Sequence, residues 1–410
     1  MYRRALIELR IKLHRIQCDF NQVESNGKNV LLIAYKITVG QGSEPGAGWA
    51  SLLGHLKCGS SVHLISTAEN IEKLTLPSTF LDQVDCSSID LDEKNLRFLR
   101  KLPFSEQITY FFWNYKARKY VVPKLASDNF DIVHHSTFAG DWNPSFLLWN
   151  LSGNLYWGPI GGTQKVPIKA YRWLGLKGFL SEILRILITS PLRYLNRNLA
   201  KKNNVHVLVA NRTTSEYFAK KCKVSNANQI VLEHVSPDGN SEDTSIPKML
   251  LGSGRLISWK MWPLAIKSVS LAESNFFNFS IYGEGEQRKK LNKLITKLGA
   301  KNYMTINALI PRERLLTLLK KSGVYVFPSL KDSCPWSLAE AVHLGVPIAA
   351  FNVSGVSEMV SDPDSNLASI SGNLVTNLAE KILDPYRVTE KNSFCECKIK
   401  RQYKEIFYAE

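Results

Sequence analysis

No uninterrupted apolar run in these 410 residues approaches the roughly 20 needed to cross a bilayer. The basic residues near the start, Arg3, Arg4 and Arg10 among them, are followed by no compact apolar core, so a secretory signal is not expected. The seven cysteines lack the paired spacing of a zinc site: Cys395 and Cys397 are the one close pair, and no second pair completes a ligand set. The thiols therefore read as reduced, in a cytoplasmic protein without a bound metal. A G-x-G-x-x-G dinucleotide fingerprint is missing as well. Acidic residues are scarce, 36 against 52 Lys and Arg, for a net charge of +16. Such an excess favours an anionic partner, whether a nucleotide, a phosphorylated lipid or a membrane surface. No nucleic-acid-binding module accompanies the charge, so nucleic acid is not expected.

What is present is globular. Hydrophobic residues make up 44% and charged residues 21% of the chain, enough for two or three domains with cores of their own. Short β-branched runs alternate with helix-periodic stretches, which predicts α/β units with parallel sheets. The expected divisions are a basic extension over 1–27, a first domain over 28–235, a second over 248–375, and a helix with a tail over 376–410. The first 16 residues mix Leu and Ile with Arg and Lys; they read either as a basic amphipathic helix able to lie on an anionic membrane or as a mobile extension.

The most informative stretch runs from Gly323 to Phe351. Val324–Phe327 reads as a strand, and a helix opening near Pro335 or Trp336 is closed by Gly345 before a second strand. Asp332 falls in the loop at the helix mouth, with Glu340 one turn inside. At about 1.5 Å per residue the two carboxylates are on the order of 10 Å apart. Paired glycosidase carboxyls need about 5 or 6.5–9.5 Å, so this pair suits the two ends of an elongated ligand. Read without further context, the same stretch is also an ordinary βαβ unit with a solvated Asp and a capping Glu.

Asp332-x7-Glu340, followed by Ala341, Gly345, Pro347, Ser354-Gly355 and Glu358, resembles the acidic-x7-Glu signature of the retaining GT-B glycosyltransferases of the group 1, family 4 type. The resemblance spans about 28–370 and is most specific over 250–360. It implies two doubly wound Rossmann-like domains facing across a cleft. It further implies that Glu340 holds a ribose, that Asp332 and Ser333 lie beside the donor sugar, and that Arg255 and Lys260 of Gly254-Arg255-Leu256…Lys260 hold the diphosphate. Fixed cations there would stabilise the charge that grows on the leaving phosphate, with no metal required. Leu309, after the strand beginning at Ile306, would contact the base. Three departures are visible: Asp stands where Glu is usual, Cys334 and Pro335 replace glycines, and Met261 replaces a Gly.

In the first half, Val30–Tyr35 leads into Gly40-Gln41-Gly42-Ser43-Glu44-Pro45-Gly46-Ala47-Gly48-Trp49, a βαβ opening whose glycines let backbone amides face an anion. By resemblance, the loop around Gly46 and Gly48 closes over the donor diphosphate. Phe130–His135 predicts a buried strand ending in His134 and His135. Strand ends of this kind carry ligands in open α/β sheets, yet a satisfied structural histidine is equally consistent. Over 165–202, nine Lys and Arg face one acid, Glu182, among many Leu and Ile. This reads as a cationic amphipathic surface or as a pair of helices covering the domain.

The expectation is metal-independent, retaining transfer of a sugar from a nucleoside-diphosphate sugar to a hydroxyl of a glycan or lipid-linked saccharide, with possible peripheral contact at an anionic inner membrane face and no cofactor. A non-catalytic GT-B protein, a nucleotide-sugar epimerase and a phosphorylase are the alternatives.

Overall fold

The computed structural model describes residues 27–99, 105–138, 140–143, 145–227, 230–232, 249–272, 278–387 and 394–409. The first 16 residues, read as a basic amphipathic helix or an extension, and the stretch 236–247 between the two expected domains lie outside them. Seven short strands form the first sheet: β1 (Asn29–Ile33), β2 (Ser61–Ser66), β3 (Val84–Ser88), β4 (Ile132–His135), β5 (Leu155–Ile160), β6 (His206–Val209) and β7 (Val224–Asn226). All are parallel, in the order β3-β2-β1-β4-β5-β6-β7. The second sheet is also parallel, with order β10-β9-β8-β11-β12, from β8 (Met249–Ser253), β9 (Asn278–Tyr282), β10 (Met304–Asn307), β11 (Val324–Phe327) and β12 (Ile348–Ala350). Central strands such as β4 and β11 are buried at every position, as helices on both faces require.

The strand order reverses between β1 and β4 in one sheet and between β8 and β11 in the other. Crevices open at such points beyond the carboxyl ends of the strands. The helices that border them are α1 (Ser43–Lys57), α2 (Ser105–Ser127), α3 (Tyr171–Lys202), α4 (Trp262–Leu271), α5 (Arg312–Lys320), α6 (Trp336–His343) and α7 (Glu396–Phe407).

Several expectations change in detail. The GQGSEPGAGW stretch is helical from Ser43, so Gly46 and Gly48 lie inside α1 and not in a loop. They are small because neighbours are close: a Cβ on Gly46 would stand 2.1 Å from the Gln41 carbonyl and 2.5 Å from the Trp336 ring. The strand expected to begin at Ile306 runs instead from Met304 to Asn307. Residues 171–202 are one helix with a break at Gly175 (φ 67°), the left-handed region glycine tolerates. Cys395 and Cys397, read as free thiols, are joined by a disulfide; their Cα atoms are 5.4 Å apart, within bridging range.

The tail, unreadable from sequence, forms α7 and returns to the first sheet. Ile399, Tyr403 and Phe407 share a core with Leu32, Leu53 and Leu64. Gly54 of α1 leaves room for the Tyr403 ring, which a Cβ would meet at 2.6 Å.

Candidate active site

At the β8–β11 crevice the loop after β8 meets the loop after β11. Trp262 donates its indole N–H to the Arg255 carbonyl (3.0 Å), which fixes the turn. Arg255 is exposed, its guanidinium 5.9 Å from the Trp259 ring centroid. Lys260 reaches across and donates to Asp332 (2.8 Å). Gly355 (φ 90°) allows the Asp332–Ser333 backbone to pass at a distance no side chain would permit: a Cβ there would lie 2.2 Å from the Asp332 carbonyl.

Glu340, in the second turn of α6, is almost fully buried and accepts from Arg312 Nε (2.7 Å). Burial pushes its carboxyl above the usual range, and the Arg312 charge opposes that shift. The pairing engages Oε1; a carboxylate accepts about four hydrogen bonds, so a diol is still compatible with this group. Arg312 was not singled out by the sequence reading. A signal was there, since a cation in the first turn of a helix works against the helix dipole and calls for a local partner.

The two halves of the chain touch at this place. Arg312 also donates to the Gly40 carbonyl (3.0 Å). Ser333 Oγ donates to Gln164 Oε1 (2.8 Å), and Asn211 Nδ2 donates to the Ser333 carbonyl (3.1 Å). Lys331 donates to Glu182 of α3 (2.8 Å). Burial works against the Glu182 charge, but hydrogen bonds from Arg185 and Lys331 outweigh it and leave its carboxyl below the usual range.

The structure thus places Arg255, Lys260, Asp332 and Ser333 in the loops of the second sheet and Glu340 on α6 beside them. It sets Gly46 and Gly48 in α1, with Gly46 against Trp336 and Gly48 against the Lys36 carbonyl and Thr137. Leu309 is 68% exposed just past β10.

His134 and His135 are fully buried and satisfied. His134 Nε2 bonds the Gly158 carbonyl (2.8 Å), its Nδ1 meets His55 Nε2 (3.0 Å), and His55 Nδ1 meets the Tyr408 hydroxyl (3.1 Å). His135 lies between Tyr110 (2.9 Å) and Ser145 (2.5 Å). Burial drives His134 down to about 4 and His135 to about 3.

Across from these, at the β1–β4 crevice, a cavity of about 330 Å³ is lined by Lys36, Ser43, Glu44, Phe138, Trp142 and Asn143, among others. Glu44 accepts from the Phe138 amide (2.8 Å), and burial raises its carboxyl pKa.

Two parallel α/β domains, each with its crevice at a strand-order reversal, define the GT-B class. The pneumococcal O-GlcNAc transferase GtfA, solved in complex with UDP and GlcNAc, has this fold: its TM-score is 0.57 at 11% identity, covering 93% of this chain and 99% of that one. Residues 240–393 match the family model of glycosyl transferases group 1. The family match over the second half of the chain and the fold together support a group 1 GT-B glycosyltransferase.

An uncharacterized glycosyltransferase of Haemophilus influenzae is 25% identical over 69% of this chain and 74% of its own length. The 2-deoxystreptamine glucosyltransferase of Streptomyces kanamyceticus is 24% identical over 32% of this chain, and the match spans only 35% of that relative.

Proposed function

We propose that this chain transfers a sugar, with retention and without a metal, from a nucleoside-diphosphate sugar to a hydroxyl of a glycan or lipid-linked saccharide. One observation carries the reading: the Lys260–Asp332 pair follows β8 and β11, between which the second sheet reverses, and the nearby Arg312–Glu340 pair is joined by Arg312 to the first half at the Gly40 carbonyl. Residues 248–375 take the donor and residues 28–235 the acceptor. Arg255 and Lys260 face the diphosphate, Glu340 the ribose, Asp332 and Ser333 the donor sugar, and Leu309 the base. Arg312 holds Glu340 in place. The cavity at Lys36 and Glu44 takes the acceptor.

In the reaction the bond from the anomeric carbon to the β-phosphate oxygen breaks, and a bond to the acceptor oxygen forms on the same face. The proton of that hydroxyl passes to the departing phosphate, and the nucleoside diphosphate leaves with the charge that Arg255 and Lys260 stabilise. UDP is the first donor base to try, because GtfA binds it.

Purified protein incubated in EDTA with UDP-, GDP- and ADP-sugars and a panel of glycan and lipid-linked acceptors should release nucleoside diphosphate from one of the donors, and the glycoside formed should keep the donor's anomeric configuration by NMR. No release from any donor, while a group 1 relative reacts in the same panel, would contradict transfer and favour a binding role.

A further inference from the structure

The long helix α3 leaves one face uncovered. Leu176, Leu180, Leu184, Leu187, Tyr194 and Leu195 are each about half or more exposed, Leu176 at 76% and Leu187 at 67%. Positions 180, 184, 187, 191 and 194 repeat at intervals of four and three, so they form one line along the helix. At about 1.5 Å per residue the stripe from Leu176 to Leu195 is roughly 28 Å long.

Two of the cations expected to interleave with this stripe have turned inward, while Lys177 near its start stays exposed and pairs with Glu286. Arg185 pairs with Glu182 (2.7 Å), and Arg193 is buried against Asp141 and the Gly162 carbonyl. Burying a carboxylate without a partner is costly, so these two arginines are committed to the interior. Exposed basic residues remain at the two ends: Lys165, Lys169 and Arg172 before the stripe, Lys201 and Lys202 after it.

We propose that α3 is a membrane-docking element, which lies flat on an anionic lipid surface with the stripe in the acyl boundary and the basic ends among the headgroups. Like charge at both ends decides against self-pairing. An antiparallel pair of copies would set Lys201 and Lys202 against Lys169 and Arg172, and a parallel pair would set each end against its double. An anionic surface takes both ends at once. No helix among the described residues is long and apolar enough to cross a membrane, which fits a helix that lies on the surface.

The docking also reaches the cleft. On the inner side of the same helix Glu182 holds Lys331, next to Asp332, and a Cβ on Gly178 would meet Ser258, two residues before Lys260. A surface-bound α3 therefore keeps the active site within reach of a lipid-linked acceptor.

The test is sedimentation of the full chain with vesicles of phosphatidylglycerol and phosphatidylcholine, or of phosphatidylcholine alone. The wild type should bind the anionic vesicles, and raised salt should weaken that binding. Leu184→Gln with Leu187→Gln should reduce it by about ten-fold or more, as should Lys201→Glu with Lys202→Glu, which changes only exposed residues. Any shift of the melting temperature by nucleotide should be the same in all three proteins, which separates this result from the donor reading. Equal binding by wild type and both variants would overturn the proposal. So would a wild type that ignores vesicles but runs as a dimer that the leucine variant splits.

Discussion

His134 and His135 are neutral at pH 7 because burial removes the water that would solvate an imidazolium. An unfolded histidine titrates near 6.5, whereas these sites stay neutral down to about 4 and about 3. Between those values the unfolded chain binds more protons, so the stabilisation is present in full above 6.5 and is lost as pH falls. The unfolding free energy from urea titration, and the midpoint with it, should drop between pH 7.5 and pH 5, by on the order of 1–2 kcal/mol per histidine. His135→Gln, which keeps hydrogen-bonding groups facing Tyr110 and Ser145, should flatten part of that slope. A midpoint independent of pH would contradict the burial account.

At the scale of the element, α1 sets two effects against each other at Gly46. Alanine is the better helix former by about 1 kcal/mol, but its Cβ would be 2.1 Å from a backbone carbonyl and 2.5 Å from Trp336. Overpacking of this kind costs typically 1–3 kcal/mol, and a carbonyl cannot swing aside as a flexible side chain can. Gly46→Ala should therefore lower the melting temperature and weaken nucleotide binding by disturbing the contact between α1 and α6. A stabilised variant would show that propensity wins and that the contact is loose.

The same element shows what was legible in the sequence and what was not. Strands such as Val324–Phe327 and the helix opening at Trp336 were readable, because β-branched runs and a proline at the helix mouth are local signals. The glycines of α1 read as a loop because Gly-Pro-Gly spacing normally breaks helices; the tertiary need for small residues against Trp336 overrides that. Lys260 and Asp332 were each singled out for separate roles, and their direct pairing, like that of Arg312 with Glu340, depends on a fold that joins residues 72 and 28 positions apart. The inward turn of Arg185 and Arg193 was hidden for the same reason, since composition does not say which side of a helix faces water. The return of α7 to the first sheet gave no sequence signal at all.

For the whole molecule, α3 and α7 cross between the halves. The start of α3 sits in the second core, where Leu174, with Ala170 just before the helix, joins Leu256 and Trp262. Its end belongs to the first core, through Ala200. Helices shared in this way tie the two crevices into one cleft, and the proposed transfer requires a nucleotide-sugar donor to enter it. Melting of the purified protein against UDP, GDP, ADP and their sugar conjugates tests this most directly, because a ligand that binds only the folded state raises the melting temperature by mass action. One nucleotide should shift the wild type, while Arg255→Ala and Glu340→Gln, folded and melting on their own, should respond at least ten-fold more weakly in titration, about 1.4 kcal/mol. If neither change alters the response, the donor lies elsewhere and the site described here is not the donor site.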